Sequence, residues 1–536
     1  MQATGGLIPA SNLVLLSSFV LSGYGVFLLA GYVISRGLGA ARSPLLPRFG
    51  AGLLYAFASS KMAYAALGQW NIASSQWIPF YILCLLLMGE HPRRWRYPLL
   101  AALFLLLQAY AELTYASFLV LFTALWAVWQ FVTRLRSGNL GRLAANLARL
   151  VADLAIIGAI FIVGLAPVLA MMIPDMMVEG DIFVEKGGFA GAFSADLVGF
   201  LVPTMHHPLF GSLVERFEFD HGVGQHLYLG YSVLALAALG AIWAWRRSAA
   251  ARFWTLSTGL FWLLTLGPSL RINGHDTGIP LPFALVAQLL FFKGNRYPSR
   301  YSVLFVLSLS MLVAFGLAAI VKRRTEPPRP FALSVLRVAT AVLLVALVLF
   351  EHLAIPLPMT DMEVPSVYQS IADEMPGDST LLDLPVAWRN GFRVTGTQHP
   401  IIMLQQYYQT VHGKRILAGN TSRNPPLTFQ YFTEAPVINT LIALETGHQV
   451  DAAIVERDRA LAADVLRFLN VGAIVVHPAQ TGPDMVPYVE ATMPVERFDA
   501  DDEMVAYRVV LPPWPESWTL EPGNLLSRLS YAEGWG

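Results

Sequence analysis

Chemistry in this chain has to come from polar side chains set in or beside apolar runs. No Gly-rich phosphate loop, HExxH, GxSxG or Walker pattern occurs in its 536 residues. A polar group at membrane depth is costly, so it needs water, a partner or a task. The first candidates are Gly68-Gln69-Trp70-Asn71 and Gln76-Trp77. Amides and indoles at a helix mouth suit sugar recognition, by hydrogen bonds and by stacking on the apolar face of the ring. The same residues also make an aromatic belt beside a polar loop. The second group is Gln108, Tyr110, Glu112 and Tyr115, which puts a carboxylate in the middle of an apolar hairpin. Either Glu112 is solvated at the hairpin turn, or it has work to do.

The third group is segment 174–226, with Asp175, Glu179, Asp181, Glu185, Asp196, Glu215, Glu218 and Asp220, and with His206, His207, His221 and His226. Such a set can supply a general base or ligate a divalent metal. No spacing in it is diagnostic, and an acidic loop is more often simply solvated. Asp175 and Asp181 directly follow a helix end and are the best placed of these. No cofactor is called for, and a divalent metal has no ligand set in its support. The fourth group is Lys293-Gly-Asn-Arg296-Tyr-Pro-Ser-Arg300, at the start of a helix with Pro298 in its first turn. Arg296 and Arg300 share a helix face if the helix begins early, and two guanidiniums there can clamp a lipid phosphate. Interfacial snorkelling is the plainer alternative. The last group is Gln405-Gln406-Tyr407-Tyr408-Gln409, His412-Gly413-Lys414-Arg415 and Asn420–Asn424. It reads as a carbohydrate-facing surface or as a packed polar loop.

The elements that carry these groups follow from composition. Only 13% of residues are charged, 55% are apolar, and mean hydropathy is +0.53. A soluble globule cannot hide that much apolar side chain, so the chain reads as a membrane protein. A disordered chain, a disulfide scaffold and a basic nucleic-acid binder are excluded. Cys84 is the only cysteine, which rules out an intrachain disulfide and a Cys-based metal site.

The zero net charge hides a split. Residues 1–353 hold 25 basic and 14 acidic side chains, hence +11; residues 354–536 hold 11 and 22, hence −11. Apolar runs near Asn12–Ile34, Gly50–Leu67, Ile72–Met88, Val151–Met172, Leu227–Trp245, Phe253–Leu270, Ser302–Val321 and Val338–His352 predict spans. Tyr97–Val132 supplies two more, broken around Glu112 and Thr114. The expectation is an α-helical polytopic membrane domain of about ten transmembrane helices over 1–353, with an outer loop at 174–225. Leu281–Phe292 is too short to span and reads as an interfacial helix.

Arg-rich, acid-poor connections around Arg36–Arg48, Arg93–Arg96, Arg134–Arg149, Arg246–Arg252 and Lys322–Arg337 predict cytoplasmic loops. This alternation puts the N-terminus and the tail outside. Because Met1–Ala10 has no basic n-region, we expect a chain that begins late, although insertion directed by the Arg-rich loop behind the first helix gives the same orientation. Residues 354–511 change character and predict a small extracytoplasmic mixed α/β domain. It should have helices at Ser366–Met375 and Asp451–Leu469, strands at Leu381–Pro385 and Ala473–His477, and a terminal hairpin at Val495–Phe498 and Met504–Val510. Residues 512–536 form a Trp-bearing tail.

Several segments resemble bacterial polytopic proteins of the GT-C glycosyltransferase-like type. These are NLVLLSSFVLSGYGVFLLAGY at 12–32, GQWNIASSQWIPFYIL at 68–83, FSADLVGFLVPTMHHPLFG at 193–211 and NRYPSRYSVLFVLSLSMLVAFG at 295–316. LLDLPV and QQYYQTVHGKRILAGNTSRNP look like the outer soluble domain of such proteins. The resemblance implies transfer of a sugar from a polyprenyl-phosphate carrier to a lipid, glycan or protein acceptor on the outer face of a bacterial membrane. It implies no nucleic-acid partner. No residue here inherits the first-loop carboxylate of that superfamily, and Gly68-Gln69-Trp70-Asn71 stands where relatives often carry Gly-His-x-Asn. On this reading Arg296 and Arg300 hold the carrier phosphate. Gln69, Asn71, Gln76 and Glu112 line the sugar pocket, and Asp175 or Asp181 gives acidic support. The rivals are a non-catalytic scaffold with a glycan- or partner-binding outer domain and a transporter or flippase of an amphipathic substrate.

Overall fold

A computed structural model describes residues 6–39, 43–91, 94–136, 140–179, 188–221, 224–289, 292, 295–321, 331–390, 393–397, 399–421, 435–501 and 503–513. The chain divides into two compact units, Met1–Met359 and Thr360–Gly536. The tail beyond residue 513 lies outside the described residues.

The first unit is helical. In chain order it holds α1 (Leu7–Leu38), α2 (Leu45–Phe57), α3 (Ser59–Ala66), α4 (Trp70–Ala73), α5 (Ile78–Glu90), α6 (Arg96–Ala111), α7 (Leu113–Arg136) and α8 (Leu140–Glu179). Then come α9 (Gly188–Ala192), α10 (Tyr231–Trp245), α11 (Ala249–Thr265), a hairpin of β1 (Ser269–Ile272) and β2 (His275–Pro280), α12 (Phe283–Val286), α13 (Ser302–Val321) and α14 (Phe331–Glu351). Among the described residues, five helical stretches are long and apolar enough to cross a membrane: Leu7–Leu38, Trp70–Glu90, Leu113–Arg136, Ala144–Pro174 and Pro298–Val321. The protein is thus an integral membrane protein, and these five helices are the full-length spans found among the described residues, beside the ten that the sequence predicts. Arg96–Ala111 and Tyr231–Trp245 are apolar but shorter. The run Gly50–Leu67 is not one span, because Ala58, with φ −54° and ψ 139°, ends α2 and starts α3. Among the described residues of the expected interfacial helix, only Phe283–Val286 are helical.

Helix α13 is apolar on every face and buried on every face from Ser302 to Ala318, which makes it the axis of the unit. Phe118 of α7 stacks on Tyr301 just ahead of it, with ring centroids 3.8 Å apart. Against α10 the approach is backbone to backbone. A Cβ on Gly240 would lie 2.0 Å from Leu312 O, and one on Gly316 would lie 2.2 Å from Leu236 O. Two helices in lipid gain little from hiding apolar surface, so close contact of this kind carries their association.

The second unit is α/β. It comprises α15 (Ser366–Glu374), β3 (Thr380–Leu384), β4 (Trp388–Asn390), β5 (Arg393–Thr395), α16 (Ile401–His412), β6 (Arg415–Ile416), β7 (Gly419–Thr421), α17 (Ile438–Glu445), α18 (Ala452–Phe468), β8 (Val471–Val476), α19 (Pro478–Thr481), α20 (Met485–Thr492), β9 (Val495–Ala500) and β10 (Val505–Val509). The main sheet has strand order β6-β3-β8-β10-β9, with β6, β3 and β8 parallel and β10 antiparallel to both neighbours. Alternation along β3 and β8 sorts the core. Leu382, Leu384, Ile474 and Val476 meet Leu441, Val465 and Leu466 on one face, while Leu381, Ala473 and Val475 meet Tyr368, Ile371 and Tyr408 on the other. Asp451 caps α18 by accepting from Ala453 N at 3.1 Å. Gln405–Gln409, expected as surface or loop, lies within α16, with Gln405 and Tyr408 buried.

Two predictions arise here. Replacing Gly316 by Val drives a branched side chain into the α10 backbone, an overpacking that costs about 1–3 kcal/mol. The melting temperature of the full chain in detergent should fall, whereas Gly158→Ala, where a Cβ meets nothing within 4 Å, should leave it unchanged. The second concerns Glu445. It is buried, and burial pushes its carboxyl up to about 8 from 4.5, against the pull of the Val386, Thr397 and Ala387 N–H groups. Between pH 4.5 and 8 the folded chain keeps a proton that the unfolded chain has released, so this contribution to stability falls as pH rises. His412 acts oppositely. Burial holds it down at about 4, so its contribution rises with pH until its ordinary 6.5 is passed. Above pH 6.5 Glu445 acts without that opposition. Thermal resistance of the segment 360–513 to proteolysis, measured in the full chain, should decline from pH 6.5 to 8.5, and Glu445→Gln should flatten that decline.

Candidate functional site

The polar groups of the membrane unit converge where α3, α4, α7 and α13 begin or end. Three hydrogen bonds stitch the 70–76 segment to the break between α6 and α7. Asn71 Nδ2 donates to Glu112 Oε2 at 2.6 Å, Tyr115 OH donates to Ile72 O at 2.7 Å, and Gln108 Nε2 donates to Ser74 O at 2.9 Å. Glu112 ends α6 in an extended conformation, and its other oxygen receives Thr114 N at 3.3 Å. The hairpin therefore breaks at the carboxylate, which sits half-buried with an amide against it.

Beside this pair lies a partly open cavity with about 310 Å³ of atom-free space. Tyr55, Ser60, Lys61, Tyr64, Ser75, Tyr115 and Ser302 give it a polar wall; Ile72, Val303 and Val306 give it an apolar one. Lys61 Nζ donates to Ser22 Oγ at 2.6 Å, Ser18 O at 3.1 Å and Ser75 Oγ at 3.4 Å, and lies 4.7 Å from the centroid of the Phe19 ring. Lys61 is buried, and a buried ammonium is costly unless it is paired, so it needs a reason. No carboxylate pairs with Lys61 among the described residues.

The 295–300 segment closes one side. Helical structure starts at Pro298, so Arg296 lies ahead of it in non-helical backbone and does not share a helix face with Arg300. Arg296 is half-buried, and burial lowers its guanidinium below the usual value. Arg300 Cζ stands 4.0 Å over the Tyr297 ring. Arg300 Nε and Ser299 Oγ are buried without a hydrogen-bond partner among the described residues. Gly224, at φ +86°, approaches so closely that a Cβ there would lie 2.6 Å from Ser299 Oγ and 3.6 Å from Tyr64 OH.

The geometry thus joins Asn71 and Glu112, while Arg300 lies in the helical turn Pro298–Tyr301 just ahead of α13. Gln76 is buried nearby in sequence, with its Oε1 unpartnered among the described residues, while Gln69 is exposed ahead of α4. Asp175 lies in α8 with its side chain outside the described residues, and Asp181 lies outside them altogether. The acidic, histidine-bearing segment does structural work where it is described. Asp196 receives Val198 N, Asn273 N and Gly274 N at 2.8, 3.0 and 2.8 Å, which fixes the β1–β2 turn. His207 Nδ1 receives Leu209 N and Phe210 N, and its Nε2 meets Phe350 O at 3.0 Å. No cluster of three or more metal-ligating side chains occurs among the described residues.

Sequence reading missed Lys61, Tyr55, Tyr64 and Ser75. The available signal was a lysine within an apolar run of helical length, passed over as one polar residue in a weak span. It also missed a buried network in the second unit. There Tyr368 OH donates to Asp383 Oδ2 at 2.8 Å, and His477 Nε2 lies 3.1 Å from Asp383 Oδ1 and 3.0 Å from Tyr368 OH.

Losing the Tyr115 hydroxyl leaves the Ile72 carbonyl buried and unpaired, at a cost of about 1–3 kcal/mol. Tyr115→Phe should lower the melting temperature of the full chain in detergent clearly. Tyr110→Phe, which removes an exposed bond to Gly164 O, should lower it much less.

No protein-family model matches the chain, and no curated protein matches it. Among solved structures, the chain is similar to the arabinofuranosyltransferase AftD from Mycobacteria, determined by single-particle cryo-EM, at 15% sequence identity and a TM-score of 0.44. The match covers 93% of this chain and 35% of that one, so the chain spans about a third of the length of its structural neighbour.

Proposed function

We propose that this protein is a membrane glycosyltransferase-like enzyme that moves a sugar from a polyprenyl-phosphate carrier to a lipid, glycan or protein acceptor on the extracytoplasmic face. The observation that carries the reading is the pairing of a half-buried carboxylate, Glu112, with the Asn71 amide beside a polar cavity in an otherwise apolar unit. Glycosyl transfer needs a base for the acceptor hydroxyl and positive charge for the departing phosphate. Glu112 is the base in this account. It takes the acceptor proton as the hydroxyl oxygen bonds to the anomeric carbon and the bond from that carbon to phosphate oxygen breaks. Asn71 orients the carboxylate through its amide and leaves the second oxygen lightly held by Thr114 N. Arg300 lends positive charge from the mouth of α13, with Arg296 behind it. Gln69 and Gln76 flank the sugar, and Asp175 or Asp181 gives acidic support.

The test is transfer from a labelled polyprenyl-phosphate sugar by the full chain in nanodiscs. A positioned general base contributes about 10²–10⁴ in rate, so Glu112→Gln should slow transfer at least about 100-fold. Asn71→Ala should slow it less, and Arg300→Ala should weaken donor use. Equal transfer by wild type and Glu112→Gln would remove Glu112 from the chemistry. Absence of transfer by wild type across donor sugars would overturn the enzymatic reading in favour of a scaffold.

A further inference from the structure

We propose that Lys61 anchors the phosphate of a lipid substrate, and that the cavity beside it seats the departing phosphate of the donor. This rests on the glycosyl-transfer reading above and assigns the leaving-group side of that reaction to residues outside the Arg296–Arg300 segment. In the step itself, the carbon–oxygen bond to phosphate breaks with its electron pair going to the phosphate oxygen. The acceptor proton goes to Glu112, and the phosphate gains one negative charge, which Lys61 meets.

Four features support the assignment. The Lys61 ammonium has only neutral acceptors, Ser18 O, Ser22 Oγ and Ser75 Oγ, so its charge is uncompensated. The Ser75 contact, at 3.4 Å, is at the outer limit of a hydrogen bond, so that N–H can turn to an anion at little cost. Tyr115 stands in the first turn of α7 and lines the cavity, so the positive end of that long helix lies beside it. Ser299 Oγ, three residues ahead of α13 and flanking Gly224 together with the cavity residue Tyr64, is a buried hydroxyl with no partner among the described residues. The opposite wall of Ile72, Val303 and Val306 suits an acyl or prenyl chain.

The experiment measures binding of undecaprenyl phosphate, the uncharged alcohol undecaprenol and phosphatidic acid to the full chain in nanodiscs, by native mass spectrometry. Wild type should hold the phosphate at least about tenfold more tightly than the alcohol, and folded Lys61→Met should lose that preference. Ser302→Leu, which fills the cavity and keeps the lysine, should abolish it too, and it decides the matter if Lys61→Met does not fold. Equal binding of phosphate and alcohol by wild type overturns the proposal, as does a preference that survives in both folded variants. Phosphatidic acid competing as well as undecaprenyl phosphate would uphold the Lys61 anchor and refute the polyprenyl donor. Sugar transfer that proceeds at wild-type rate in Lys61→Met would uphold the transferase and refute the anchor.

Discussion

The membrane unit turns on a single ammonium group. Lys61 Nζ binds the Ser18 carbonyl and the Ser22 hydroxyl of α1 and reaches the Ser75 hydroxyl in the link between α4 and α5, so three segments far apart in sequence meet on one cation. In a medium without water those bonds have no substitute, which gives each of them more structural consequence than a surface hydrogen bond has. The break at Ala58 makes the arrangement reachable. An unbroken helix over 45–66 would fix the relation of α2 to α3, and the bend there lets α3 lie with Lys61 against α1. The bonds from Asn71, Gln108 and Tyr115 then fasten the same region to α6 and α7. Polar groups scattered from Ser18 to Tyr115 end in one place, because an apolar surround offers them only one another.

Everything opposite that cluster is built for rigidity. Helix α13 fills the centre of the unit, and its glycine-mediated approach to α10 brings the two backbones together. Stacked rings from Phe118 to Tyr301 lock the start of α13 to α7. The residues at those two helix starts, Tyr115 and Ser302, are thereby held on the cavity wall. A positioned wall of this kind is what catalysis by charge and orientation requires, since a site that must reorganise loses most of the benefit.

How much of this was legible in the sequence depended on the period of the signal. The long apolar helices announced themselves, and in the second unit so did Asp451 capping α18 and the alternation in β3, β8 and β10. The break at Glu112 was visible because a carboxylate interrupts an apolar run. Lys61 was not, since one cation in a run of mixed polarity looks like a helix end, and its meaning appears only when Ser18, Ser22 and Ser75 are brought to it by tertiary packing. The same holds for Asp383 and His477. They end two strands separated by almost a hundred residues, and only the parallel register of β3 with β8 puts them 3.1 Å apart. Conversely, the acid-rich segment drew attention by composition, yet Asp196 and His207 spend their hydrogen bonds on backbone N–H groups. Arg296 and Arg300 looked like a helical pair until helical structure was found to start at Pro298.

The central claim is that a phosphate carried by a lipid sits on Lys61 with the reacting carbon facing Glu112. A cryo-EM map of the full chain in nanodiscs, bound to a non-transferable polyprenyl-phosphate sugar analogue, tests it most directly. The account predicts phosphate density within hydrogen-bond reach of Lys61 Nζ and sugar density between it and the Glu112 carboxylate. Ordered analogue density elsewhere on the molecule, with the Lys61 cavity unfilled, would contradict it.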